Sequence, residues 1–361
     1  MSSREWALQI APSEVGGVVG GKRITGAERL PVHDPDTGAV IATLIETGPE
    51  QVGLAVAAAD AAFPHGAWSR APVAERAAVL RAAAALIRSQ AETLAALDSL
   101  TTGLLWHRST LRQAHACADW FAYFAELAEH DRAQVFATGP QVVTRVTRAP
   151  VGTVALFTPW NIPLMAAGLK LSAALAMGNS VVLKPSELSP LGCHRLVELL
   201  HSAGVPTDVL HLVNGRGSTT GAALAGHPDV RALSFTGGPA AGSAIAARAS
   251  SRFAKVTLEL GGKSANIVLA DAPYAAALEG ALLAAFGNSG QACIAGSRIL
   301  VEAPLAERFI ADFVDRTQAL RIGHTFDADA DIGAQSSPAQ AERVLHFADL
   351  ARSEGATILC G

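Results

Sequence analysis

The feature that most constrains the fold of this chain is a regular alternation of short apolar runs with helical stretches between residues 151 and 260. The apolar runs predict five strands: Val151–Phe157, Ser180–Leu183, Val209–Val213, Arg231–Ser234 and Lys255–Glu259. The stretches between them predict helices: Leu164–Met177, Leu191–Ala203, Ser218–Ala225 and Ala240–Ala249. Strands that are joined by helices pair in parallel, so this alternation predicts a parallel sheet covered by helices on both faces.

The flanking segments have different patterns. Before residue 133 we expect a strand, Ala39–Leu44, and the helices Gln51–Phe63, Ala74–Arg88 and His107–His130. The interleaved β-branched and polar residues of Gln141–Arg148 predict a solvent-facing strand. Beyond Gly262 we expect the strands Ala265–Leu269, Arg298–Glu302 and Thr357–Cys360 and the helices Tyr274–Phe286, Ala306–Leu320 and Ala339–Arg352. The pattern therefore changes at Val151, and a second unit begins beyond Gly262.

Composition excludes several classes of protein. The balance of 28 basic against 32 acidic residues lacks the basic excess of a nucleic-acid binder. Lys170 and Glu279 interrupt the most apolar stretches, and Met1–Ile10 has no apolar run, so neither a membrane span nor a secretory signal is expected. The four cysteines lie far apart and the histidines show no ligand spacing, which argues against a disulfide scaffold and a metal site. We expect a soluble, cytoplasmic α/β protein.

Polar and glycine-rich segments follow four of the five predicted strands. They are Thr158–Pro163, Lys184–Glu187, Phe235–Gly242 and Leu260–Lys263. Ligands of open parallel sheets bind beyond the carboxyl ends of the strands, so these segments predict the binding edge.

Cys293 is the candidate nucleophile. An isolated cysteine is more often a small buried hydrophobe, and a lone cysteine defines no signature across families. Here the cysteine follows a helix in a polar loop, where Gly290 lets the backbone approach a substrate closely. Nucleophilic cysteines need such an accessible setting.

Glu259 and Asn161 both lie at strand ends. Glu259 could form an ordinary salt bridge or act as a general base, and its apolar neighbours should raise its pKa by disfavouring the charge. Asn161 could cap the following helix or donate its amide to a developing oxyanion.

A turn at Gly237 and Gly242 opens a predicted helix, which makes a plausible diphosphate cradle but does not match the Gly-x-Gly-x-x-Gly fingerprint. Lys184 and Glu187 could form a solvated ion pair or hold ribose hydroxyls. Both interpretations remain open on spacing alone.

Five ordered motifs together resemble the aldehyde dehydrogenase superfamily, in its NAD(P)-dependent, non-acylating branch. They are Pro159–Pro163, Lys184–Glu187, Phe235–Gly237, Leu258–Lys263 and Gly290–Cys293. The resemblance implies a Rossmann-like five-stranded parallel-sheet cofactor domain (1–132 and 152–260), a bridging and oligomerisation strand segment (133–151), and an incomplete α/β catalytic domain (261–361). It also implies a homodimer or homotetramer in the full-length form.

The resemblance implies a role for each site residue. Cys293 would attack an aldehyde, and the Asn161 amide and the Cys293 N–H would hold the resulting oxyanion. Hydride transfer to the nicotinamide would leave a thioester. Glu259 would activate the water that hydrolyses this thioester, and Lys170 would support proton transfer. The residues expected to bind the dinucleotide are Thr158, Pro159, Trp160, Lys184, Pro185, Ser186, Glu187, Gly217, Gly221, Phe235, Thr236, Gly237, Gly238, Gly242, Leu260 and Gly261. The residues expected to line the substrate path are Ile162, Ala166, Leu169, Ala292 and Ile294. Glu187 favours NAD, with NADP as a second option.

Two departures from the family pattern affect this interpretation. Gly238 replaces a common serine, so its turn offers a diphosphate only backbone groups. The family's later Glu-x-Phe-Gly-Pro segment is absent from the 361 residues, so the sequence resembles a C-terminally truncated member. The alternatives are therefore an aldehyde-oxidising enzyme and a non-catalytic relative that binds dinucleotide or serves as a structural subunit. An acylating enzyme ranks lower because such relatives generally lack the carboxylate found at Glu259.

Overall fold

The computed structural model describes residues 1–26, 28–63 and 66–361, and the elements named here belong to those residues. The α-helices are α1 (Ser3–Ile10), α2 (Pro49–Ala62), α3 (Ala67–Arg70), α4 (Val73–Ser89), α5 (Ala91–Thr102), α6 (Leu111–His130), α7 (Pro163–Ala176), α8 (Leu191–Ser202), α9 (Ala222–Gly226), α10 (Pro239–Ser250), α11 (Tyr274–Phe286), α12 (Ala303–Gln318) and α13 (Pro338–Ser353). The strands are β1 (Glu14–Val15), β2 (Val18–Val19), β3 (Lys22–Arg23), β4 (Arg29–His33), β5 (Val40–Ile45), β6 (Gln134–Gly139), β7 (Val142–Val146), β8 (Thr153–Phe157), β9 (Ser180–Lys184), β10 (Leu210–Leu212), β11 (Ala232–Gly237), β12 (Lys255–Leu260), β13 (Ala265–Val268) and β14 (Arg298–Val301).

The central sheet has the strand order β12-β11-β8-β9-β10-β2-β3. Its first five strands pair in parallel, as the alternation predicts. The short strands β2 and β3 extend the sheet in antiparallel fashion and were not expected from the sequence. The predicted fold class is confirmed, with a seven-stranded rather than a five-stranded sheet.

The middle of this sheet is covered on both faces. Successive strand residues point to opposite faces, so Leu156 and Leu183 join the apolar cluster under α6 and α7, while Ala155 and Val182 pack with α2. At the β11–β12 end more buried and less buried residues alternate along each strand, because helices there cover mainly one face. The prediction of a sheet covered on both faces is therefore wrong at this end.

The N-terminal third contains a helix, α5, that was not predicted from the sequence. Helix α5 ends at Thr102, and Gly103 terminates it with a left-handed φ of 72°. The predicted helix at residues 107–130 is divided into a π-helical turn (Trp106–Thr110) followed by α6. The strand expected at Gln141–Arg148 is β7, which pairs with β6 in a solvent-exposed hairpin.

The last hundred residues form a smaller unit with its own apolar cluster. Strands β13 and β14 pair in parallel, and Val268, Leu282 and Phe309 lie at the centre of the cluster. The strand expected at Thr357–Cys360 is wrong, because no described strand pairs with that segment after α13 ends at Ser353. The division of the chain near residue 260 stays a proposal, which the separate cluster supports.

A buried histidine predicts how stability depends on pH. His211 is fully buried in β10, its Nδ1 accepts the Gly20 N–H at 3.1 Å, and its Nε2 lies 3.0 Å from the Asp208 carbonyl oxygen. Burial lowers the pKa of His211 from 6.5 to about 4. Between these two pH values the unfolded chain binds a proton at His211 and the folded chain does not.

Protonation of His211 in the unfolded chain should therefore not reduce the free energy of unfolding above pH 6.5. The free energy of unfolding should fall by about 3 kcal/mol as the pH drops to about 4. We expect His211→Gln to reduce that loss, measured as the free energy of unfolding in urea at several pH values. His115→Gln, on the exposed face of α6, is the matched control. An unchanged acid dependence in His211→Gln would contradict the assignment.

Candidate active site

A cleft of about 1240 Å³ lies beyond the carboxyl ends of β8, β9, β11 and β12, and we call it the main cleft. Its lining includes most of the residues that the sequence singled out: Thr158, Pro159, Trp160, Asn161, Lys184, Ser186, Glu187, Gly217, Gly221, Phe235, Thr236, Gly237, Gly238, Glu259, Gly261, Ala292 and Cys293. Motifs more than 130 positions apart in the chain therefore meet at the predicted edge of the sheet.

Cys293 lies in a polar loop after α11, and we call residues 287–294 the Cys293 loop. Three consecutive residues of this loop, Asn288, Ser289 and Gly290, have positive φ angles of 57°, 57° and 71°. Such angles are unusual for residues other than glycine and persist where surrounding contacts hold them. The Gln291 side chain supplies two such contacts: its Nε2 donates to the Ala334 carbonyl at 3.2 Å, and its Oε1 accepts the Ser336 N–H at 3.0 Å.

Asn161 contacts the Cys293 loop directly. Its Nδ2 donates to the Gln291 carbonyl oxygen at 2.6 Å, two residues before Cys293. The loop that follows β8, residues 158–162, is named the Asn161 loop. The side-chain amide proposed to hold an oxyanion thus lies beside the loop that carries the proposed nucleophile.

Glu259 lies at the end of β12 and is exposed, not enclosed by apolar neighbours as expected. The period of two along a strand explains the difference, because Val256 and Leu258 pack on one face while Glu259 points to the other. The carboxylate borders the main cleft and also a second depression of about 390 Å³, which lies between α7 and strands β8, β11 and β12.

Lys170 lines this second depression and not the main cleft. Its amine is buried and donates to the Ser234 hydroxyl at 2.6 Å. Burial lowers the pKa of Lys170 from 10.5 to about 8, and the nearby Glu259 charge opposes the shift. Part of the lysine population is therefore neutral near physiological pH, as a proton carrier requires.

Lys184 and Glu187 form an ion pair of 3.3 Å at the wall of the main cleft. The lysine is 5% exposed and also donates to the Pro185 carbonyl oxygen at 2.9 Å. Burial lowers its pKa, and the charges of Glu187 and Glu46 oppose that shift. A solvated surface pair does not describe this geometry, because the lysine is buried while Glu187 faces the cleft.

The N-terminus of α10 faces the main cleft and has the features of an anion cradle. Gly238 precedes the helix and supplies no side-chain cap. A side chain added at Gly238 would meet nothing within 4 Å, so the space beside the helix N-terminus is open. Helix N-termini of this kind bind phosphate groups through their N–H dipoles.

The remaining expected cofactor residues lie next to the cleft without lining it. Leu260 packs on Gly242, where an added Cβ would lie 2.7 Å from the Leu260 side chain. Pro185 contributes its carbonyl oxygen to Lys184. These three residues support the lining rather than form it.

The expected substrate residues are dispersed. Ala292 lines the main cleft, and Leu169 lines the second depression. Ala166 is buried on α7 and lines neither cavity, and its place in a substrate path stays a prediction. Ile162 and Ile294 lie outside both linings, and Ile294 is 81% exposed.

Sequence reasoning missed one wall of the main cleft. Helix α13 contributes Gln340, Arg343, Val344 and Phe347, and α10 contributes Arg248. The pattern of α13 predicts a helix, but nothing in its local sequence indicates that it folds back over the cleft. The arginines could have been noted only after the helix had been placed.

The described part of the chain has neither a metal-binding cluster nor a membrane-spanning helix. It contains no group of three or more His, Cys, Asp or Glu side chains arranged to hold a metal ion. None of its helices is both long and apolar enough to cross a membrane.

Comparison with known proteins settles the family. The sequence model of the "Aldehyde dehydrogenase family" matches residues 23–361. The chain belongs to the aldehyde dehydrogenase family. The match includes every predicted site residue, from Thr158 to Ile294, and the resemblance in motifs is confirmed.

Individual family members are similar to nearly all of the chain. It is 40% identical to betaine aldehyde dehydrogenase of Bacillus subtilis over 89% of this chain and 66% of that protein. It is 37% identical to 5-carboxymethyl-2-hydroxymuconate semialdehyde dehydrogenase of Escherichia coli, over 95% of this chain and 72% of that one. The chain thus spans about two thirds to three quarters of the length of these aldehyde dehydrogenases.

Solved aldehyde dehydrogenase structures share the fold. The crystal structure of betaine aldehyde dehydrogenase from Staphylococcus aureus in complex with NAD+ superimposes with a TM-score of 0.96 at 34% identity, covering 100% of this chain and 72% of that one. An aldehyde dehydrogenase from Bacillus cereus, also an NAD+ complex, gives 0.94 at 32% identity, over 98% of this chain and 72% of that one. The described residues therefore have the family's fold throughout.

Proposed function

We propose that this protein oxidises an aldehyde to a carboxylic acid with NAD(P)+ through a thioester on Cys293. The observation that carries the proposal is the convergence of Cys293, Asn161 and Glu259 on one cleft that also contains an anion cradle. A thiol, an amide donor and a carboxylate in that arrangement supply a nucleophile, an oxyanion donor and a base.

NAD is the proposed cofactor, and the cleft fits it. The open N-terminus of α10 suits a diphosphate, and Glu187 with Lys184 suits ribose hydroxyls. Glu187 would repel a 2′-phosphate, which favours NAD over NADP. When bound, NAD+ accepts a hydride. The NAD+ complexes among the similar structures support this choice.

The remaining steps belong to side chains of this chain. The Cys293 thiolate forms a bond to the aldehyde carbon, and the Asn161 amide and the Cys293 N–H hold the oxygen that becomes negative. Loss of hydride from that carbon leaves a thioester on Cys293. Glu259 takes a proton from water, which attacks the thioester, so that the carbon–sulfur bond breaks and the thiolate returns. Aldehyde, NAD+ and water thereby give carboxylate, NADH and two protons.

The proposed substrate class rests on the predicted substrate residues. Ala292 in the main cleft and Leu169 in the second depression are aliphatic, and no arginine or lysine stands among the predicted substrate residues to fix a carboxylate. We propose an apolar or semi-polar aldehyde. A kinetic preference for a strongly anionic aldehyde would contradict this.

Self-association and location are further proposals. The β6–β7 hairpin exposes Val135, Phe136 and Val143 by 49% or more, which supports pairing with a second copy as a homodimer or homotetramer. All four cysteines are free, which supports a reducing, cytoplasmic location.

The direct test is NADH formation by the purified chain with a panel of aldehydes, beside calorimetric titration of NAD. Turnover of any aldehyde with NAD supports the proposal. NAD binding without turnover of any aldehyde would favour the non-catalytic relative, and absence of both would reject the cofactor assignment.

The lowered pKa of Lys170 predicts a pH effect on this activity. Neutral lysine can accept a proton, and its fraction rises as the pH passes about 8. We expect kcat to rise with an inflection near pH 8, and we expect Lys170→Met to remove that inflection and lower kcat by about 10²-fold. Lys255→Met, at the exposed start of β12, is the control. The same inflection in Lys170→Met would contradict the role.

A further inference from the structure

Asn288 joins the two loops that carry the proposed nucleophile and the oxyanion donor. Its Nδ2 donates to the main-chain carbonyl of Asn161 at 3.1 Å and to the main-chain carbonyl of Gln291 at 3.2 Å. The first bond joins positions 127 residues apart, whereas the second lies within the Cys293 loop. One side-chain amide therefore links the Asn161 loop to the Cys293 loop.

Gln113 fixes the orientation of that amide. Its Nε2 donates to Asn288 Oδ1 at 3.1 Å from the buried face of α6. Turning the Asn288 amide over would place its oxygen against two carbonyl oxygens and its nitrogen against a donor, so only one orientation satisfies all three bonds. Helix α6 holds Gln113 in place, because its residues Ala114, Cys117 and Ala118 pack in the main apolar cluster.

The Gln291 carbonyl oxygen accepts two amides at once, from Asn288 and from Asn161. The Asn161 amide has two N–H groups, so one can remain on this carbonyl while the other is directed at the substrate oxygen. The position of the Gln291 carbonyl therefore sets the position of the Asn161 amide, and Asn288 holds the same carbonyl with a second hydrogen bond.

We propose that Asn288 is a positioning residue, which holds the Asn161 and Cys293 loops in register and fixes the Gln291 carbonyl that positions the Asn161 amide. The backbone of Asn288 agrees with this role, since asparagine is among the few residues that tolerate a φ of 57°. The inference rests on the proposed function, and its test includes a readout that does not need turnover.

The decisive variant is Asn288→Gly, which keeps the left-handed backbone accessible and removes only the amide. We expect kcat to fall by about 10²-fold, as for other displacements of reacting groups, with the NAD dissociation constant unchanged within about twofold. Gln113→Met should give a smaller fall in kcat in the same direction, because the Asn288 amide loses only its orienting donor. Ser297→Ala, exposed later in the same connecting segment, is the matched control and should behave as wild type.

The readout independent of turnover is the rate at which iodoacetamide alkylates Cys293, measured on the peptide by mass spectrometry. We expect Asn288→Gly to change that rate by at least about fivefold, because the Cys293 loop loses its tie to the Asn161 loop. Restoration of the wild-type alkylation rate and kcat in Asn288→Gln, which returns an amide, would support the inference further.

The outcomes separate the inference from the proposed function. Wild-type kcat and alkylation rate in Asn288→Gly would overturn the positioning role and leave aldehyde oxidation intact. If the wild type oxidises no aldehyde, the proposed function fails, and the alkylation rates still decide whether Asn288 holds the Cys293 loop. A loss of NAD binding and of the thermal unfolding transition in both Asn288→Gly and Gln113→Met would assign these residues to folding alone and overturn the inference.

Discussion

Replacing Cys293 by alanine is expected to abolish aldehyde-dependent NADH formation while NAD binding stays unchanged. Cys293 is the only cysteine among the described residues that line the main cleft, and removal of a covalent nucleophile lowers kcat by at least about 10³-fold in enzymes that depend on one. The rate of NADH formation and the calorimetric dissociation constant for NAD measure the two halves of this expectation.

The other cysteines provide the controls. Cys360 has the same partial exposure as Cys293 but lies in the C-terminal segment, so Cys360→Ala should keep full activity. Cys117 and Cys193 are buried, and burial raises the pKa of each thiol, which keeps both protonated and unreactive. Undiminished turnover in Cys293→Ala would place the chemistry elsewhere.

Replacing Glu259 by glutamine is expected to separate the two halves of the reaction. Formation of the thioester needs Cys293 and the oxyanion donors, whereas its hydrolysis needs a base to activate water. We therefore expect a burst of NADH of about one equivalent per site, followed by a steady state that is slower by about 10²- to 10⁴-fold.

Glu307→Gln is the matched control for this variant, because Glu307 is an exposed carboxylate on α12 that does not line either cavity. Its burst and steady state should match those of the wild type. If Glu259→Gln loses the burst and the steady state together, Glu259 acts before hydrolysis and the assignment as the hydrolytic base is wrong.

The order of strands and helices could be predicted because each element repeats a local pattern. The buried strands β8 and β9 each contain an apolar run, Val154–Phe157 and Val181–Leu183, and the segments that follow them contain residues that line the main cleft. The elements that were missed owe their structure to distant partners. Strand β2 has only two residues, and its pairing with β10 comes from a contact nearly two hundred positions away.

The residues of the candidate site could likewise be predicted where a local pattern marks them, and not where distant contacts decide their surroundings. Cys293, Glu259 and Asn161 could be selected because each lies near the end of a predicted helix or strand, within a few residues of a glycine or proline. Their surroundings could not be predicted: the exposure of Glu259 depends on which face of β12 is uncovered, and the position of α13 depends on tertiary packing. A local pattern could not predict the contacts of Asn288 either, because Gln113 and Asn161 both lie far from Asn288 in the sequence.

The central claim is that Cys293 carries the acyl group after hydride has been lost to NAD+. The most direct measurement is the intact mass of Glu259→Gln, with peptide mapping, after it is mixed with an aldehyde in the presence and in the absence of NAD+. The account predicts one acyl group, attached to Cys293 and formed only when NAD+ is present. No adduct, an adduct on another residue, or the same adduct without NAD+ would contradict it.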